Sequence, residues 1–417
     1  MDYALLGEKL PYTISPRIHN LFGREYGIIE LPTVDDAKVY LDSKSFHGLN
    51  VTMPYKISIM DHLDFIDFNA KELGAINTIV NRHDMLYGYN TDYLGLQYSL
   101  QRAGITLTSK DILILGSGGA AKTARYVSLV KGANHVDIVS RTGELNYVNV
   151  YDRTDPQIII NTTPIGTFPN TYAKVVDLSK FKHLEAVVDL IYNPLQTLLL
   201  DEAKRLGLKT CNGLAMLVEQ ARASENIFNF VDDIGFIGIE KTEEVINILC
   251  KEQSNLVLTG MAGVGKTTIG KILSDKLDMP FVDTDEVIED RENMSIPEIF
   301  DSKGEEYFRE VESEVIKEVL SKHRQVVSLG GGAILREDNR FYIRSNGIVC
   351  FIVRDLEKLP IKNRPLSKNI DNVKALFKER EKMYIEVSDF KVYNESIGNT
   401  VKEIMENYEK SISTKWR

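Results

Sequence analysis

Length, composition and charge restrict what this chain can be. Of its 417 residues 43% are hydrophobic and 26% are charged, which is ordinary for globular proteins, and the length suggests two or three domains. The formal net charge of −10 argues against a general binder of nucleic acid or of anionic membranes. The cysteines, Cys211, Cys250 and Cys350, lack the C-x-x-C spacing of a zinc site and suit a reducing compartment. We find no signal-peptide pattern and no apolar stretch long enough to span a bilayer, so we expect a cytoplasmic protein.

Strand-like runs alternate with helical patterns along the chain, which predicts an α/β fold with mostly parallel sheets. Residues 1 to about 100 form a first unit. The next unit has four predicted strands: Asp111–Leu115, His135–Val139, Gln157–Ile160 and Ala186–Leu190. Between Arg141 and Ile158 the chain is too short for a full crossover helix and a further strand, so this corner of the second unit is predicted to be trimmed.

Two helical patterns close this part of the chain. The pattern of Gly213 to Phe230 predicts a helix that returns to the first unit, and Lys241 to Glu252 predicts the junction with the C-terminal unit. The next strand already begins at Asn255, without a linker rich in Gly, Ser or Pro. We therefore expect three domains, namely residues 1–100 completed by about 213–250, residues 101–212, and residues 253–417. We also expect a cut near residues 250 to 254 to leave each part with its own core and a full ligand set.

Two glycine-rich turns, each between a predicted strand and a predicted helix, indicate two nucleotide sites. The turn Gly116-Ser117-Gly118-Gly119-Ala120-Ala121 has the dinucleotide pattern, in which N–H groups at the helix start hold a pyrophosphate. The run Gly260-Met261-Ala262-Gly263-Val264-Gly265-Lys266-Thr267 fits the phosphate loop G-x-x-x-x-G-K-[ST] at each fixed position. In such a loop the amides cradle the phosphates of ATP, Lys266 neutralises the β and γ oxygens, and Thr267 ligates Mg²⁺.

The residues after the second predicted strand of the second unit, His135–Val139, favour NADP(H) over NAD(H) as the cofactor. An NAD site usually has an acid there for the ribose hydroxyls, whereas this chain has Ser140 and Arg141. An arginine favours a 2′-phosphate, so we expect NADP(H). The alternative is that Arg141 is simply an exposed loop residue.

A series of motifs in the first 250 residues resembles shikimate dehydrogenase in identity and order. These motifs are Thr13-Ile14-Ser15-Pro16-Arg17, Asn50-Val51-Thr52-Met53-Pro54-Tyr55-Lys56, Gly74-Ala75-Ile76-Asn77-Thr78, Asn90-Thr91-Asp92, the turn at Gly116, Asn161-Thr162-Thr163-Pro164, Asp189-Leu190-Ile191-Tyr192-Asn193-Pro194 and Gly213-Leu214-Ala215-Met216 through Gln220. The resemblance implies an α/β substrate domain followed by a Rossmann-like NADP domain.

The resemblance assigns the reduction of a ring ketone to Lys56 and Asp92, because the carbonyl oxygen needs a proton donor within hydrogen-bond reach. Which of the two transfers the proton stays open. The resemblance also implies substrate contacts at Thr13, Ser15, Thr52, Asn77, Tyr192 and Gln220. It implies cofactor contacts at Gly116, Gly118, Gly119, Ala120, Ser140, Arg141, Thr142, Thr163, Gly213 and Met216. Two residues depart from the usual pattern: Thr13 replaces a serine, and Asn212 stands where an aspartate usually precedes the glycine, so side activity on quinate stays open.

The C-terminal motifs resemble shikimate kinase from about residue 255 to 400. They are the phosphate loop, Phe281-Val282-Asp283-Thr284-Asp285, Gly304 through Glu312, Ser328-Leu329-Gly330-Gly331-Gly332, Arg364-Pro365-Leu366 and Arg380-Glu381-Lys382-Met383-Tyr384. The resemblance implies that Asp285 holds the acceptor hydroxyl, that Asp283 helps to bind Mg²⁺, and that Arg364 stabilises the transferring phosphoryl group. It implies substrate-carboxylate contacts at Arg309, Arg380, Gly331 and Gly332, and nucleotide contacts at Gly263, Gly265 and Thr268.

The individual residues also have ordinary structural explanations. Asp283 and Asp285 occupy alternating positions of a predicted strand, and the alternative is that they only cap the next helix. For Arg309 and Arg380 the alternative is a helix surface on which each pairs with glutamates. The ordered combination favours a bifunctional enzyme that makes and then phosphorylates shikimate. The alternatives are a quinate/shikimate dehydrogenase joined to a kinase for another small alcohol, and a scaffold that binds ligands without turnover.

Overall fold

The structure, a computed structural model, describes residues 2–11, 13–359 and 370–416. It contains three β-sheets, and each is built from one stretch of the chain. Strands whose residues are all apolar lie buried between layers of helices, as in Leu256, Val257 and Leu258. The α/β class with mostly parallel sheets, predicted from the alternating patterns, is confirmed.

The first sheet has six strands in the order β2-β1-β3-β5-β6-β4. Its strands are β1 (Tyr3–Gly7), β2 (Gly27–Glu30), β3 (Gly48–Val51), β4 (Phe65–Ile66), β5 (Thr78–Arg82) and β6 (Met85–Tyr89), and its helices are α1 (Ser15–Leu21), α2 (Val34–Ser43), α3 (Tyr55–Ser58), α4 (Phe68–Leu73) and α5 (Asp92–Arg102). Strand β1 is parallel to β3, while β5 is antiparallel to both β3 and β6. The ends of β1, β3 and β6 and the start of β5 therefore lie at one edge.

The second sheet has five parallel strands in the order β11-β10-β9-β7-β8. They are β7 (Asp111–Leu115), β8 (His135–Val139), β9 (Ile158–Asn161), β10 (Ala186–Asp189) and β11 (Lys209–Cys211), with helices α6 (Gly119–Val130), α7 (Val150–Arg153) and α8 (Leu198–Arg205). Helix α7, between β8 and β9, has only four residues. The predicted trimmed corner is thereby confirmed.

Two long helices come next, α9 (Leu214–Val231) and α10 (Ile239–Gln253). Helix α9 packs against α1, α5 and β5, so its predicted return to the first unit is confirmed. Helix α10 occupies the predicted junction and contacts both α9 and the last helix of the chain.

The third sheet has five parallel strands in the order β13-β14-β12-β15-β16. The strands are β12 (Asn255–Thr259), β13 (Phe281–Asp283), β14 (Val326–Ser328), β15 (Gly347–Val353) and β16 (Phe390–Tyr393); the helices are α11 (Lys266–Leu277), α12 (Thr284–Glu292), α13 (Ile296–Ser321), α14 (Glu337–Ser345), α15 (Ile370–Val387) and α16 (Ile397–Lys415). Strand β13 ends at Asp283, so Asp285 lies in the first turn of a helix rather than at the predicted alternating strand position. The side chain of Asp283 accepts a hydrogen bond from Asp285 N and so begins the helix early.

One apolar cluster crosses from residues 2–253, the N-terminal part, into residues 254–416, the C-terminal part. Buried Val218, Leu249 and Cys250 belong to the same cluster as Leu256 and Ile404. The N-terminal part also has clusters of its own, as expected, whereas the core of the C-terminal part is continuous with apolar residues of α9 and α10. Separate sequence patterns do not reveal that two amphipathic faces meet. Among the described residues, no helix has the length and apolarity needed to cross a membrane.

Candidate active sites

The edge at which β1, β3, β5 and β6 meet carries a cluster of polar side chains. Lys56 lies on α3, just beyond the end of β3, and Asp92 is the first residue of α5, just beyond β6. Lys56 Nζ lies 2.6 Å from Asp92 Oδ2, and both side chains are largely but not fully buried. The predicted pair is thus formed, with enough exposure for a ligand to reach it.

Asn77 links this pair to α9. Its Nδ2 donates to Asp92 Oδ1 at 2.9 Å and lies 3.2 Å from Gln220 Oε1, while its Oδ1 accepts from Thr91 N at 2.7 Å. Asn77 is 2% exposed, so its rotamer is fixed by these contacts. The amide therefore orients Asp92, and Asp92 in turn orients the ammonium group of Lys56. Sequence reasoning missed Thr91, although it lies beside Asp92 in the same motif.

The remaining predicted substrate residues of the N-terminal part lie in segments that follow strand ends. Thr13 Oγ1 and Ser15 Oγ are 3.2 Å apart in the loop that leads from β1 into α1. Thr52 donates its N–H to Leu6 O, which fixes it at the end of β3. Tyr192 comes after β10 in the second sheet and lines the same cavity as Thr13. Parallel-strand ends of both sheets thus supply the predicted contacts.

The predicted dinucleotide turn joins β7 to α6. Gly116 has φ 109°, and a Cβ there would lie 2.7 Å from Thr162 Oγ1, so only glycine fits at this position. A Cβ on Gly118 or Gly119 would meet no atom within 4 Å, which leaves open space at the start of α6. Free space beside the N–H groups of a helix start is what a pyrophosphate requires. The turn therefore fits a dinucleotide.

The other predicted cofactor residues lie beyond neighbouring strand ends. Ser140, Arg141 and Thr142 come after β8, and Arg141 and Thr142 are exposed. Thr163 comes after β9, where its hydroxyl donates to Asn161 Oδ1 at 2.8 Å. The remaining two, Gly213 and Met216, lie at the start of α9. Ala120 lies in the first turn of α6.

The C-terminal part has a cavity of about 680 Å³ at the carboxyl end of its sheet. It is lined by every predicted residue of this part that the structure describes: Gly263, Gly265, Lys266, Thr267, Thr268, Asp283, Asp285, Arg309, Gly331, Gly332 and Arg380. The predicted Arg364 lies outside the described residues. Arg354, which sequence reasoning missed, also lines the cavity.

Thr267 and Asp283 form the candidate metal site. Thr267 Oγ1 lies 2.8 Å from Asp283 Oδ2. No group of three or more His, Cys, Asp or Glu side chains that could hold a metal occurs in the described ranges. A hydroxyl and one carboxylate fit Mg²⁺, which keeps several waters and takes its other ligands from substrate phosphates.

Asp285 lines the same cavity. Burial raises the pKa of Asp285 to about 6, with Asp283 adding to the shift and Lys266 opposing it. A Cβ on Gly330 would lie 2.5 Å from Asp285 Oδ1, so the glycine run passes directly beside this carboxylate. An acceptor in the cavity lining suits a substrate hydroxyl.

Two arginines lie near the glycine run. Arg309 donates to Glu312 Oε2 at 2.6 Å and to Glu305 Oε1 at 3.1 Å, as the alternative of glutamate pairing expects. A Cβ on Gly332 would nevertheless lie 2.3 Å from Arg309 Nη1, which places the guanidinium against the cavity wall. Arg380, 7% exposed, donates to Gly331 O at 3.2 Å, and its Nε is buried with no partner among the described residues. Both cations therefore border the space next to Gly331 and Gly332.

Sequence reasoning missed the side chains that hold this cavity in shape. Tyr384 OH donates to Gly331 O at 2.5 Å, and Asn394 Nδ2 donates to Val264 O at 2.7 Å, within the phosphate loop. Glu312, 1% exposed, is the buried partner of Arg309, and burial raises the pKa of its carboxyl. Tyr384 belongs to the motif that begins at Arg380, so the sequence did contain a signal for it. Asn394 lies in no recognised motif, so the sequence contained no signal for it.

Family models match both ends of the chain. The model described as "Shikimate dehydrogenase substrate binding domain" matches residues 5–79, and the model described as "Shikimate kinase" matches residues 262–412.

Curated relatives match the N-terminal part. The chain is 36% identical to "Shikimate dehydrogenase (NADP(+))" of Clostridium perfringens over 249 residues, 54% of this chain and 92% of the relative. It is 35% identical to the protein of that name in Bacillus subtilis over 250 residues, 53% of this chain and 89% of the relative.

Solved structures give the same result. Shikimate dehydrogenase 1 from Peptoclostridium difficile has a TM-score of 0.55 at 35% identity, with 60% of this chain and 98% of that chain covered. A chorismate mutase/shikimate 5-dehydrogenase fusion protein from Clostridium acetobutylicum has a TM-score of 0.55 at 34% identity, with 59% and 96% covered. The predicted resemblance and the predicted fold of both parts are confirmed by these matches.

Proposed function

We propose that this chain, which belongs to the shikimate dehydrogenase family and continues into a shikimate kinase domain, catalyses two successive reactions. The N-terminal part reduces 3-dehydroshikimate with NADPH to shikimate. The C-terminal part transfers a phosphoryl group from MgATP to the 3-hydroxyl of shikimate. The product of the first reaction is the substrate of the second.

One observation carries this proposal: the same chain contains a nearly complete dehydrogenase and a kinase-like cavity. The dehydrogenase match covers 92% of a relative, and the cavity, beyond helix α10, is lined by a phosphate loop, Asp285 and two arginines. Each part thus has the groups for its own reaction. A scaffold that binds ligands without turnover would not need the hydrogen-bonded Lys56–Asp92 pair or an acceptor such as Asp285 beside the phosphate loop.

In the reduction, hydride adds to the ring carbonyl carbon and a proton must reach the carbonyl oxygen. Lys56 and Asp92 form the proton-donating pair, because they lie 2.6 Å apart at the edge where the predicted substrate residues gather. Asn77 holds Asp92 in place at 2.9 Å. Substrate contacts are assigned to Thr13, Ser15, Thr52, Tyr192 and Gln220 together with Asn77.

NADP(H) supplies the hydride when bound, and the residues of the second sheet fit it. Backbone N–H groups at the start of α6 face the open space beside Gly118 and Gly119. Arg141, exposed beyond β8, would bind the 2′-phosphate, with Ser140 and Thr142 next to it in the chain. Thr163, Gly213 and Met216 would supply further cofactor contacts.

In the phosphorylation, Asp285 accepts a hydrogen bond from the attacking hydroxyl. Arg309 and Arg380 bind the shikimate carboxylate beside Gly331 and Gly332, since arginine suits bidentate carboxylate binding. Lys266 neutralises the phosphate oxygens, and Thr267 with Asp283 would hold Mg²⁺, whose positive charge would offset the charge on the β and γ phosphates. Arg364 is assigned the role of stabilising the charge on the transferring phosphoryl group.

We also propose three domains along the chain: residues 1–100 completed by 213–250, residues 101–212, and residues 253–417. The three separate sheets support this division. The cysteines of the described residues are free and buried, which supports a reducing compartment, and we place the protein in the cytoplasm.

The test is a coupled assay on the purified full chain. We expect NADPH consumption with 3-dehydroshikimate and then, on addition of MgATP, one ADP released for each shikimate formed. Quinate with NADP⁺, and other small alcohols with MgATP, serve as comparison substrates. Absence of NADPH consumption would refute the first activity, and absence of ADP release at saturating shikimate would refute the second.

A further inference from the structure

A second cavity, of about 360 Å³, lies between the two parts of the chain. Thr13 and Tyr192, which the proposed function assigns to the dehydrogenase substrate, form one side of it. Residues from the junction and the kinase domain form the other side. That other side includes Gln253, Ser321 and His323. Two residues assigned to the dehydrogenase substrate thus share a cavity with residues that a dehydrogenase without the kinase domain lacks.

Gln253 offers an unused donor at this place. It is the last residue of α10 and is 8% exposed. Its Nε2 is buried and has no hydrogen-bond partner among the residues that the structure describes. A buried N–H group without an acceptor is unfavourable, so a ligand oxygen that reaches it gains a hydrogen bond.

The kinase domain holds Gln253 in position. His323, in the segment between α13 and β14, lies with Nδ1 3.1 Å from Gln253 O. Burial lowers the pKa of His323, so the ring is neutral near pH 7, and Nδ1–H donates to that carbonyl. This contact ties the end of the junction helix to the kinase domain rather than to the dehydrogenase.

The ligand that fits this cavity is an anionic oxygen. None of the described residues that line the cavity is Asp or Glu, and Gln253 Nε2 is a buried donor there without a partner, while the hydroxyls of Thr13 and Ser321 donate to Ser15 Oγ and Glu318 O. The substrate of the proposed reduction carries a carboxylate, and that group accepts several donors at once.

We propose that the junction completes the dehydrogenase substrate site: Gln253 Nε2 donates a hydrogen bond to the carboxylate of 3-dehydroshikimate, and His323 of the kinase domain positions Gln253 for this contact. The proposal rests on the proposed function, because it names a further specificity-determining residue for the same reaction. It adds no chemical step.

The test compares full-length Gln253→Leu and Gln253→Glu with wild type. Leucine removes the donor at similar volume, and glutamate places a like charge next to the carboxylate. We expect KM for 3-dehydroshikimate to rise roughly tenfold in the first variant and further in the second, because hydrogen bonds to charged groups are stronger than neutral ones. The kcat of reduction and KM for NADPH should stay within about twofold, since Gln253 touches neither the reacting carbonyl nor the cofactor.

His323→Ala should raise the same KM by a smaller factor, since it loosens Gln253 without removing the donor. Glu252→Gln is the matched control: it changes the neighbouring residue, which pairs with Arg17 at the surface, and should leave KM unchanged. Kinase activity of each variant reports that the chain is folded.

An unchanged KM in both Gln253 variants, with wild type reducing 3-dehydroshikimate normally, would overturn this proposal alone. A rise in KM accompanied by an equal fall in kcat would also overturn it, because that combination indicates general disruption of the active site. Failure of the wild type to reduce 3-dehydroshikimate would instead refute the proposed function.

Discussion

The two parts are joined by a buried ion pair whose loss should destabilise the whole chain. Asp201 of α8 accepts from Arg344 Nε at 2.7 Å and from Arg344 Nη2 at 2.8 Å, so the contact is bidentate. The Asp201 and Arg344 side chains are 2% and 11% exposed. We propose the variant Arg344→Met, which keeps the length and apolar stem of the side chain but removes the guanidinium.

The expected loss depends on the groups that remain around Asp201. Gln196 Nε2 remains 2.7 Å from Asp201 Oδ1, and Nε of the half-exposed Arg205 remains 3.3 Å from Asp201 Oδ2. These two groups still partly stabilise the charge of the buried carboxylate. Leaving a buried charge without its partner costs about 3–5 kcal/mol, and the remaining contacts place this case near 3 kcal/mol. With an unfolding entropy of about 2.1 cal/mol/K per residue, that loss lowers Tm by about 3 °C if the whole chain unfolds together, and by about 9 °C if the C-terminal part unfolds alone.

Differential scanning calorimetry measures both the shift and the number of transitions. The shared apolar core leads us to expect one transition and the smaller shift. Asp201→Asn and the double variant complete a cycle, in which the pair should be coupled by well over 0.5 kcal/mol. Arg205→Met is the control on the same carboxylate, and its partly exposed pair should cost less than about 1 kcal/mol. Equal losses for Arg344→Met and Arg205→Met, or strictly additive losses in the cycle, would refute the reasoning.

Three further predictions concern the assigned site residues. Lys56→Ala should lower the kcat of reduction about 10²-fold or more, as expected for a missing general acid, while NADPH binding and kinase activity persist; near-normal reduction would remove Lys56 from the mechanism. The wild type should prefer NADPH to NADH, and Arg141→Ala should narrow that preference through KM for NADPH; equal use of both cofactors by the wild type would contradict the assignment. Asp285→Asn should suppress ADP release about 10²-fold more than it weakens shikimate binding, with NADPH oxidation as the folding control; unchanged turnover would show that Asp285 does not contact the reacting hydroxyl.

Strands of the second and third sheets were predictable because they are short apolar runs. The predicted bounds of β7 (Asp111–Leu115) and the predicted start of β12 at Asn255 agree with the structure, since burial on both faces leaves an unbroken pattern. The end of β13 was predicted two residues too far. A capping aspartate, Asp283, stops the strand, and nothing in an alternating pattern distinguishes a cap from a strand residue.

The site residues were predictable where a motif fixes the geometry. Lys56 and Asp92 are 36 residues apart in sequence, yet both come directly after strands that end at the same edge. The contacts between the two parts were not predictable in this way. Arg344 has the pattern of a surface arginine at the end of an amphipathic helix, and Gln253 that of a polar helix end. Only the packing of the kinase domain against the dehydrogenase brings Arg344 to Asp201 and His323 to the backbone carbonyl of Gln253.

A neighbouring carbonyl uses the amide of Asn212, which stands in place of the usual aspartate before Gly213. Its Oδ1 accepts from Leu214 N at 3.1 Å, as an aspartate would, but its Nδ2 donates to Leu195 O at 3.0 Å. Leu195 is 1% exposed, and its own N–H donates to Asn346 Oδ1 of the kinase domain at 2.9 Å. An aspartate has no donor for the Leu195 carbonyl.

We therefore expect Asn212→Asp to destabilise this chain even though it restores the usual family residue. An unsatisfied buried acceptor costs about 1–3 kcal/mol, which lowers the Tm of a chain of this length by about 1–3 °C. The control is Asn407→Asp, the same change on an exposed face of α16, where Nδ2 donates to Glu403 O. If calorimetry finds equal Tm shifts for the two variants, the Leu195 contact does not explain the substitution. A larger shift for Asn212→Asp means that the Asn212 amide stabilises Leu195, the residue whose N–H binds Asn346 of the kinase domain.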